Sequence, residues 1–158
     1  MATYNRTVTG GGTVGHPSNA AVPYVVTSPV WDTADGGTGG DIVQLIDVPA
    51  DTMIVAGCLE VLEARGNGQI TVDVGFTGGD VDCFIDGSVV AAGFTPFLEA
   101  AVGASGANAR ILTSADTIDA LILDGGSSGE SALRFRIHVV MVDVSVNPVE
   151  SATVSTGT

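Results

Sequence analysis

Hydrophobic and polar residues alternate along several stretches of the chain, most clearly within 69–87. Apolar side chains recur at every second position here, first at Ile70, Val72, Val74 and Phe76 and then at Val81, Cys83 and Ile85. A period of two is the pattern of a strand with one buried and one wet face. Glycines at 78–79 and the Asp86-Gly87 pair are turn signals, and Phe84 is the one apolar residue on the wet face. The stretch predicts a hairpin whose apolar face needs a second sheet as cover.

The same pattern predicts strands elsewhere. They are Asp41–Val48, Met53–Ala64, Ala109–Thr113, Thr117–Leu123 and Ala132–Val144, while the prolines in Val22–Thr33 indicate an edge strand or extended segment. Gly57 is a candidate bulge, and Ser88–Ala107 is expected to cross from one sheet to the other, with one possible helical turn at Pro96–Val102. About eight strands without a confident helix predict an all-β fold, a two-sheet antiparallel β-sandwich of jelly-roll type. An eight-stranded barrel is the main alternative.

The polar ends of the chain set the predicted domain boundaries. Residues 1–21 are rich in Gly, Thr and Asn and predict a flexible or extended N-terminal arm. Residues 22–146 form the predicted sandwich domain, and 147–158 form a polar C-terminal tail. Within the arm, Tyr4, Arg6 and Val8 are the candidate anchors to another protein. Because the arm has one arginine and no acid, it is slightly cationic against an acidic body.

The predicted strand Ala132–Val144 has two different faces. Leu133, Phe135, Ile137, Val139 and Met141 share the face that is expected to lie in the core. The opposite face begins with Arg134, Arg136 and His138 and continues with Val140, Val142 and Val144. A strand that becomes apolar on both faces needs a second cover, either the chain's own arm or another subunit. These six residues are therefore the predicted subunit interface, and we expect a homotrimer.

Charge and composition restrict the function. The 158 residues carry a formal net charge of −13, with five arginines and no lysine. Binding to nucleic acid or to an anionic membrane surface needs a basic face, so neither is expected. The N-terminus has no apolar signal region, and no run is long enough to span a membrane. Cys58 and Cys83 lie in strand-like runs, which favours buried thiols over a disulfide, although spacing leaves both open.

No motif in the sequence assembles an active site. Gly125, Ser127 and Gly129 match G-x-S-x-G, but another strand follows instead of the helix that a nucleophile elbow requires. His138 would act as a base only beside an orienting carboxylate. Asp80, Asp82 and Asp86 lack the spacing of a calcium-binding loop, so no bound metal is expected there. We therefore expect no enzyme, no metal and no cofactor.

Four segments together resemble a known family. DIVQLIDVPADTMIVAG, ITVDVGFTGGDVDCFIDG, SADTIDALIL and IHVVMVDVS are similar to segments of small virion proteins of tailed bacteriophages, the capsid decoration or cement proteins. The resemblance covers roughly 41–145 and is most specific in VDVGFTGGDVD. It implies a β-sandwich, often trimeric, that binds the major capsid protein on the outer surface of the virion after assembly in the host cytoplasm.

Two other functions remain open at this point. One is a tail or head-fibre base, although no repeat or shaft sequence is visible. The other is a carbohydrate-binding sandwich module, which would use exposed aromatic platforms. Only Tyr4, Tyr24 and Trp31 are available for that role.

Overall fold

The computed structural model describes residues 3–9, 23–35, 39–64, 71–77, 79–89, 92–97, 110–123 and 133–145. Within these residues there are eleven strands, one short 3-10 helix and no α-helix. The strands are β1 (Thr3–Thr9), β2 (Pro23–Thr27), β3 (Trp31–Asp32), β4 (Ile42–Val48), β5 (Thr52–Glu63), β6 (Thr71–Phe76), β7 (Ile85–Val89), β8 (Gly93–Pro96), β9 (Arg110–Leu112), β10 (Asp116–Ile122) and β11 (Arg134–Asp143). The longest strand is β5, with 12 residues, and not the predicted β11, which has 10.

The strands form two sheets, as predicted. One sheet has five strands in the order β1-β4-β10-β6-β7. The other has six, in the order β2-β11-β5-β8, with β3 paired to β11 and β9 paired to β5. All pairs are antiparallel except β1 with β4, which is parallel. A parallel pair needs a long crossover, and the chain between β1 and β4 visits the opposite sheet through β2 and β3.

The core lies between the two sheets. The predicted core face of β11 is confirmed, since Leu133, Phe135, Ile137, Val139 and Met141 are all fully buried. Phe84 packs at its centre, with its ring centroid 5.1 Å from that of Phe76 and 4.5 Å from that of Phe97. Gly57 makes room for this group, because the Phe97 ring occupies the space where a Cβ would stand. The irregularity near it falls at Val55, between the partners of Val140 and Met141.

The prediction for 69–87 was wrong in three details. Strand β6 is buried on both faces from Val72 to Phe76, so it has no wet face. The second strand begins only at Ile85, and Asp86-Gly87 lies inside it instead of forming a turn. Phe84 is in the core, with its N–H donated to the carbonyl of Val74 at 2.8 Å. Burying a phenylalanine side chain stabilises the fold by about 1.5–3 kcal/mol. This gain favours placing Phe84 in the core over continuing the regular strand alternation.

The 79–84 loop consequently folds back over β6. Phe76 N–H donates to the carbonyl of Asp80 at 2.9 Å, and Gly79 N–H donates to the carbonyl of Phe76 at 3.2 Å. Backbone atoms of Asp80 and Val81 rest on Gly75, in the space that a side chain there would fill. The five-stranded sheet is thus partly covered by its own chain on the side away from the core.

The remaining connections agree with the sequence pattern. β2 and β3 follow one another along one edge of β11, and the prolines of Val22–Thr33 suggest such an edge position. The chain crosses between sheets from β7 to β8, whereas the helical turn expected at Pro96–Val102 lies outside the described residues beyond Phe97. Of the predicted arm only Thr3–Thr9 is described, and the tail 147–158 is not.

Candidate interaction surface

One face of the six-stranded sheet points away from the core, and we call it the outer face. β11 places Arg134, Arg136, His138, Val140 and Val142 on it, alternating with the buried core positions. Cross-strand neighbours on this face are Val25, Thr27 and Asp32 on one side and Met53, Ala56, Cys58, Glu60 and Glu63 on the other, with Phe94 beyond Glu60. The outer face therefore brings the predicted interface residues of β11 together with side chains from four further strands, β2, β3, β5 and β8.

Glu60 is the centre of the charged part of the outer face. Arg136 Nε donates to its Oε2 at 2.5 Å, and His138 Nε2 lies 2.8 Å from the same oxygen. The side chain of Glu60 is only 15% exposed. Hydrogen bonds from Arg136 and then from His138 hold the pKa of Glu60 below its usual value. Glu60 is therefore a carboxylate at neutral pH, held in place by two strand neighbours.

Thr27 extends this cluster to the edge strand. Its Oγ1 lies 2.9 Å from Nδ1 of His138, so hydroxyl, imidazole and carboxylate follow one another across β2, β11 and β5. This is the order of a nucleophilic triad, and Glu60 supplies the orienting carboxylate that the sequence left unidentified. However, catalysis also needs free donors for an oxyanion, and β11 and β5, which carry His138 and Glu60, use their backbone groups for pairing on both sides. The arrangement therefore fits a polar ladder across the sheet.

Arg134 lies at one end of the charged part of the outer face. Its Nε lies 3.6 Å from Asp32 and its Nη1 4.0 Å from Glu63. Both distances are long and the side chains are well exposed, so these ion pairs contribute little to stability, about 0–1 kcal/mol. The charges on this face are thus largely balanced within the chain, and a partner would not have to neutralise them.

The opposite end of the outer face is apolar. Val25 and Ile111 are 67% and 55% exposed there, and Phe94 at the charged end is 68% exposed. Val140 is half-buried beside Val25, while Val142 is already 4% exposed within the single chain. Val144 lies just past β11, half-buried, and donates its N–H to the carbonyl of Asp51 at 2.8 Å. The sequence missed Val25, Ile111 and Phe94 because only cross-strand register puts them beside β11.

The predicted anchors Tyr4, Arg6 and Val8 lie on β1. Tyr4 pairs with Val43 and Val8 with Ile46, and the register shifts between Asn5 and Val8, next to Arg6. β1 is the edge strand of the five-stranded sheet, and no described strand pairs with its other side. The anchors therefore lie on a sheet edge, far in the fold from the β11 face, and their role stays a prediction.

The aspartates near the 79–84 loop were expected to bind no metal. Within the described ranges, no three His, Cys, Asp or Glu side chains converge in a way that would hold a metal ion. Instead a hydrogen bond with Asp80 raises the pKa of Asp82, which means that these two acids interact with each other. That Asp80, Asp82 and Asp86 bind no metal stays a prediction.

The remaining candidates for chemistry or ligand binding are the two cysteines, the G-x-S-x-G motif and Trp31. Neither cysteine is in a disulfide. Cys58 is a half-buried thiol on the outer face, and Cys83 is a thiol buried in the loop. Burial and then the charge of Glu60 raise the pKa of the Cys58 thiol, which makes it a poor nucleophile. The Gly125, Ser127 and Gly129 motif lies outside the described residues. Trp31 is 2% exposed and belongs to the core, so it is no platform for a sugar ring.

In the described part of the chain, no helix has the length and apolar character of a membrane span. No family model matches the sequence, and no curated protein matches it either.

Solved structures with a similar fold do exist, and three are capsid structures of bacteriophages. A chain of the acidic stable capsid of Helicobacter pylori bacteriophage KHP30 is 17% identical with a TM-score of 0.57, over 77% of this chain and 88% of that chain. A chain of the cyanophage Pam1 capsid asymmetric unit is 14% identical with a TM-score of 0.59, over 80% and 90%. A chain of the Ralstonia phage GP4 capsid is 19% identical with a TM-score of 0.59, over 83% and 91%.

These likenesses identify the class of fold. The chain has the β-rich two-sheet fold of these capsid chains, and it spans nearly the whole of each of them. The neighbours are therefore chains of similar size, not large proteins that contain this fold as one part.

Proposed function

We propose that this protein is a structural component of the virion of a tailed bacteriophage, which decorates and stabilises the outside of the capsid as a homotrimer. Its partners are the major capsid protein and further copies of itself, and it has no enzymatic role. Two independent likenesses support the proposal. The sequence segments resemble decoration proteins, and the fold matches chains of three phage capsid structures almost end to end.

The outer face of the six-stranded sheet is the observation that carries the self-association. It combines exposed apolar side chains with charges that are already paired, which is a surface suited to burial against protein. Val25 and Val140 form the apolar part of the proposed contact, and Arg134, Arg136 and His138 form its polar part. Val142 is buried within one chain and Val144 is half-buried. Both would therefore pack beneath the contact residues and contribute little contact area themselves.

The edge strand β1 is the proposed anchor to the capsid. Its free side can add to an edge strand of the major capsid protein through backbone hydrogen bonds, with Tyr4, Arg6 and Val8 giving side-chain contacts. Anchoring through β1 leaves the outer face of the other sheet available for trimer contacts. Three weak arms on one trimer would then bind more tightly than one, by avidity.

The test is decoration of capsids from which the protein has been stripped. Deletion of 1–21 is expected to leave a folded trimer that no longer binds these capsids, whereas deletion of the tail 147–158 should bind as the full chain does. Circular dichroism and light scattering establish that each form is folded and trimeric. Equal binding of both deletions would place the anchor elsewhere, and a copy number of a few per particle would favour a fibre base over decoration.

The self-association is tested separately by Val25→Asp, at an exposed position of the outer face. It is expected to convert the trimer to monomer in light scattering at micromolar concentration. The control is Leu123→Asp, at an exposed site after β10 on the other sheet. A monomeric wild-type protein would contradict the trimer, and a trimer that survives Val25→Asp would place its interface elsewhere.

A further inference from the structure

Asp119 is a buried acid on the five-stranded sheet. It is 4% exposed, and neither of its carboxyl oxygens has a hydrogen-bond partner. The hydroxyl of Thr117 and the backbone N–H of Thr77 lie near enough to lower its pKa, but by less than burial raises it. Gln44, opposite Asp119, donates to the hydroxyl of Thr117 at 3.3 Å. An ionised carboxylate in such a place lacks the partners that burial of charge requires.

Asp73 is a second buried acid on the same side of the sheet. It is 5% exposed, and one of its oxygens accepts the N–H of Gly87 at 2.6 Å. β6 and β10 pair with Gly75 opposite Asp119 and Asp73 opposite Leu121, so the two acids are diagonal neighbours. Both point away from the core, since Val72, Val74, Ile118 and Ala120 fill the core side. Two carboxyls thus lie together beside the 79–84 loop.

Among the residues that the structure describes, the charged groups that influence these two acids are all acids. Asp116, next to it on β10, raises the pKa of Asp119, and Asp86 on β7 raises that of Asp73. Asp47 on β4 pairs with Thr117, and the loop adds Asp80 and Asp82. None of the interactions that set these pKa values involves a cation. Burial, the largest cause, raises the pKa of Asp119 to about 7.

We infer that Asp119 and Asp73 form a proton-binding site that holds the 79–84 loop closed over β6. When Asp119 is protonated, its buried carboxyl is neutral and the loop rests on Gly75 with Phe84 in the core. When it is ionised, the uncompensated charge favours states in which water reaches it, and these require the loop to lift. The closed position of the loop therefore depends on pH, because it is stabilised when the buried carboxyl group binds a proton.

The direction of the effect follows from the two protonation states. The acid binds its proton more tightly in the closed state than in the open state, where its pKa returns to the ordinary value. Protonation therefore stabilises the closed loop fully below about pH 4, and this contribution is lost as the pH rises to about 7. Above neutrality no further change is expected from this group.

The test is hydrogen exchange of the full chain at pH 5 and pH 8, corrected for the intrinsic rates. We expect the amides of 79–84 to open roughly tenfold to a hundredfold more often at pH 8, while β11 changes little. In Asp119→Asn most of this difference should disappear, with Asp73 accounting for any remainder. Glu63→Gln, which removes one charge from the other sheet, should behave as the wild type.

Carbon NMR of the wild-type carboxyl groups gives a second measurement that does not depend on the variant folding. Asp119 should titrate near neutrality. A titration of Asp119 below about pH 5, or equal exchange of the wild-type loop at both pH values, would overturn the inference. If millimolar Ca²⁺ at pH 8 protects the loop as acid does, the proton is not its specific ligand and the assignment is wrong.

Discussion

Each sheet has one side that faces away from the core, and these two sides differ. On the six-stranded sheet that side is open, its carboxylate Glu60 is matched by Arg136 and His138, and apolar side chains such as Val25 stay exposed. On the five-stranded sheet the 79–84 loop lies over β6, and Asp73 and Asp119 are buried without a cation. The first side is the one proposed to contact another protein. The second is closed by the chain itself, at an electrostatic cost.

Removing the ring that holds the loop should have the largest effect. Phe84→Ala takes a fully buried ring out of contact with Phe76 and Phe97 and should lower the free energy of unfolding by about 3–5 kcal/mol. Phe94→Ala on the open side should change the stability of the monomer by no more than about 0.5 kcal/mol. Urea unfolding measures both. Similar losses for the two variants would remove the contrast between an open and a closed side.

A smaller change tests how closely the loop lies on β6. Gly75→Ala puts a methyl group against the backbone of Asp80 and Val81, which cannot move aside as a side chain could. We expect a loss of about 1–3 kcal/mol. The control is Gly79→Ala in the same loop, where the new Cβ would meet only Phe76, at an ordinary 3.9 Å. Thermal melts at pH 7 should separate the two variants, and equal melting temperatures would show that the loop yields easily.

The smallest effect should be the pH response of the open side, with a sign opposite to that of the closed side. Because Arg136 and His138 lower the pKa of Glu60, its contribution is present above about pH 4.5 and is lost as the pH falls through the lowered value. Melting curves of Glu60→Gln against wild type between pH 3 and 6 check this. The variant should lose stability relative to wild type at pH 6 and little at pH 3. A gap that widens towards acid would reverse the assignment.

Much of the fold could be predicted because burial imposes a local period on the sequence. The alternation in β11 identified its core face residue by residue, and the prolines near Trp31 placed that segment at an edge. The same reasoning failed at Phe84, where the local pattern indicated a wet face. There the packing of Phe76 and Phe97, distant in sequence from one another, decided the position.

Of the interaction surface, the strand period predicted only the part that lies on β11. Arg134, Arg136 and His138 share a face by strand period alone, which is a property of one segment. Their partners Glu60, Thr27 and Asp32 come from other strands, and so do the exposed Val25 and Phe94. Only the register between strands brings these residues together, and it pairs segments that lie far apart in the sequence.

By itself, then, the sequence determined the all-β character, the two-sheet arrangement, the core face of β11 and the acidity of the whole chain, because each follows from local period or composition. The tertiary structure decided which acids are paired and which are not. Glu60 and Asp119 are both carboxylates on strands, but cross-strand register gives one an arginine and a histidine and buries the other opposite a glycine. The free energy of a charge depends on its surroundings in space, and these are set by the fold.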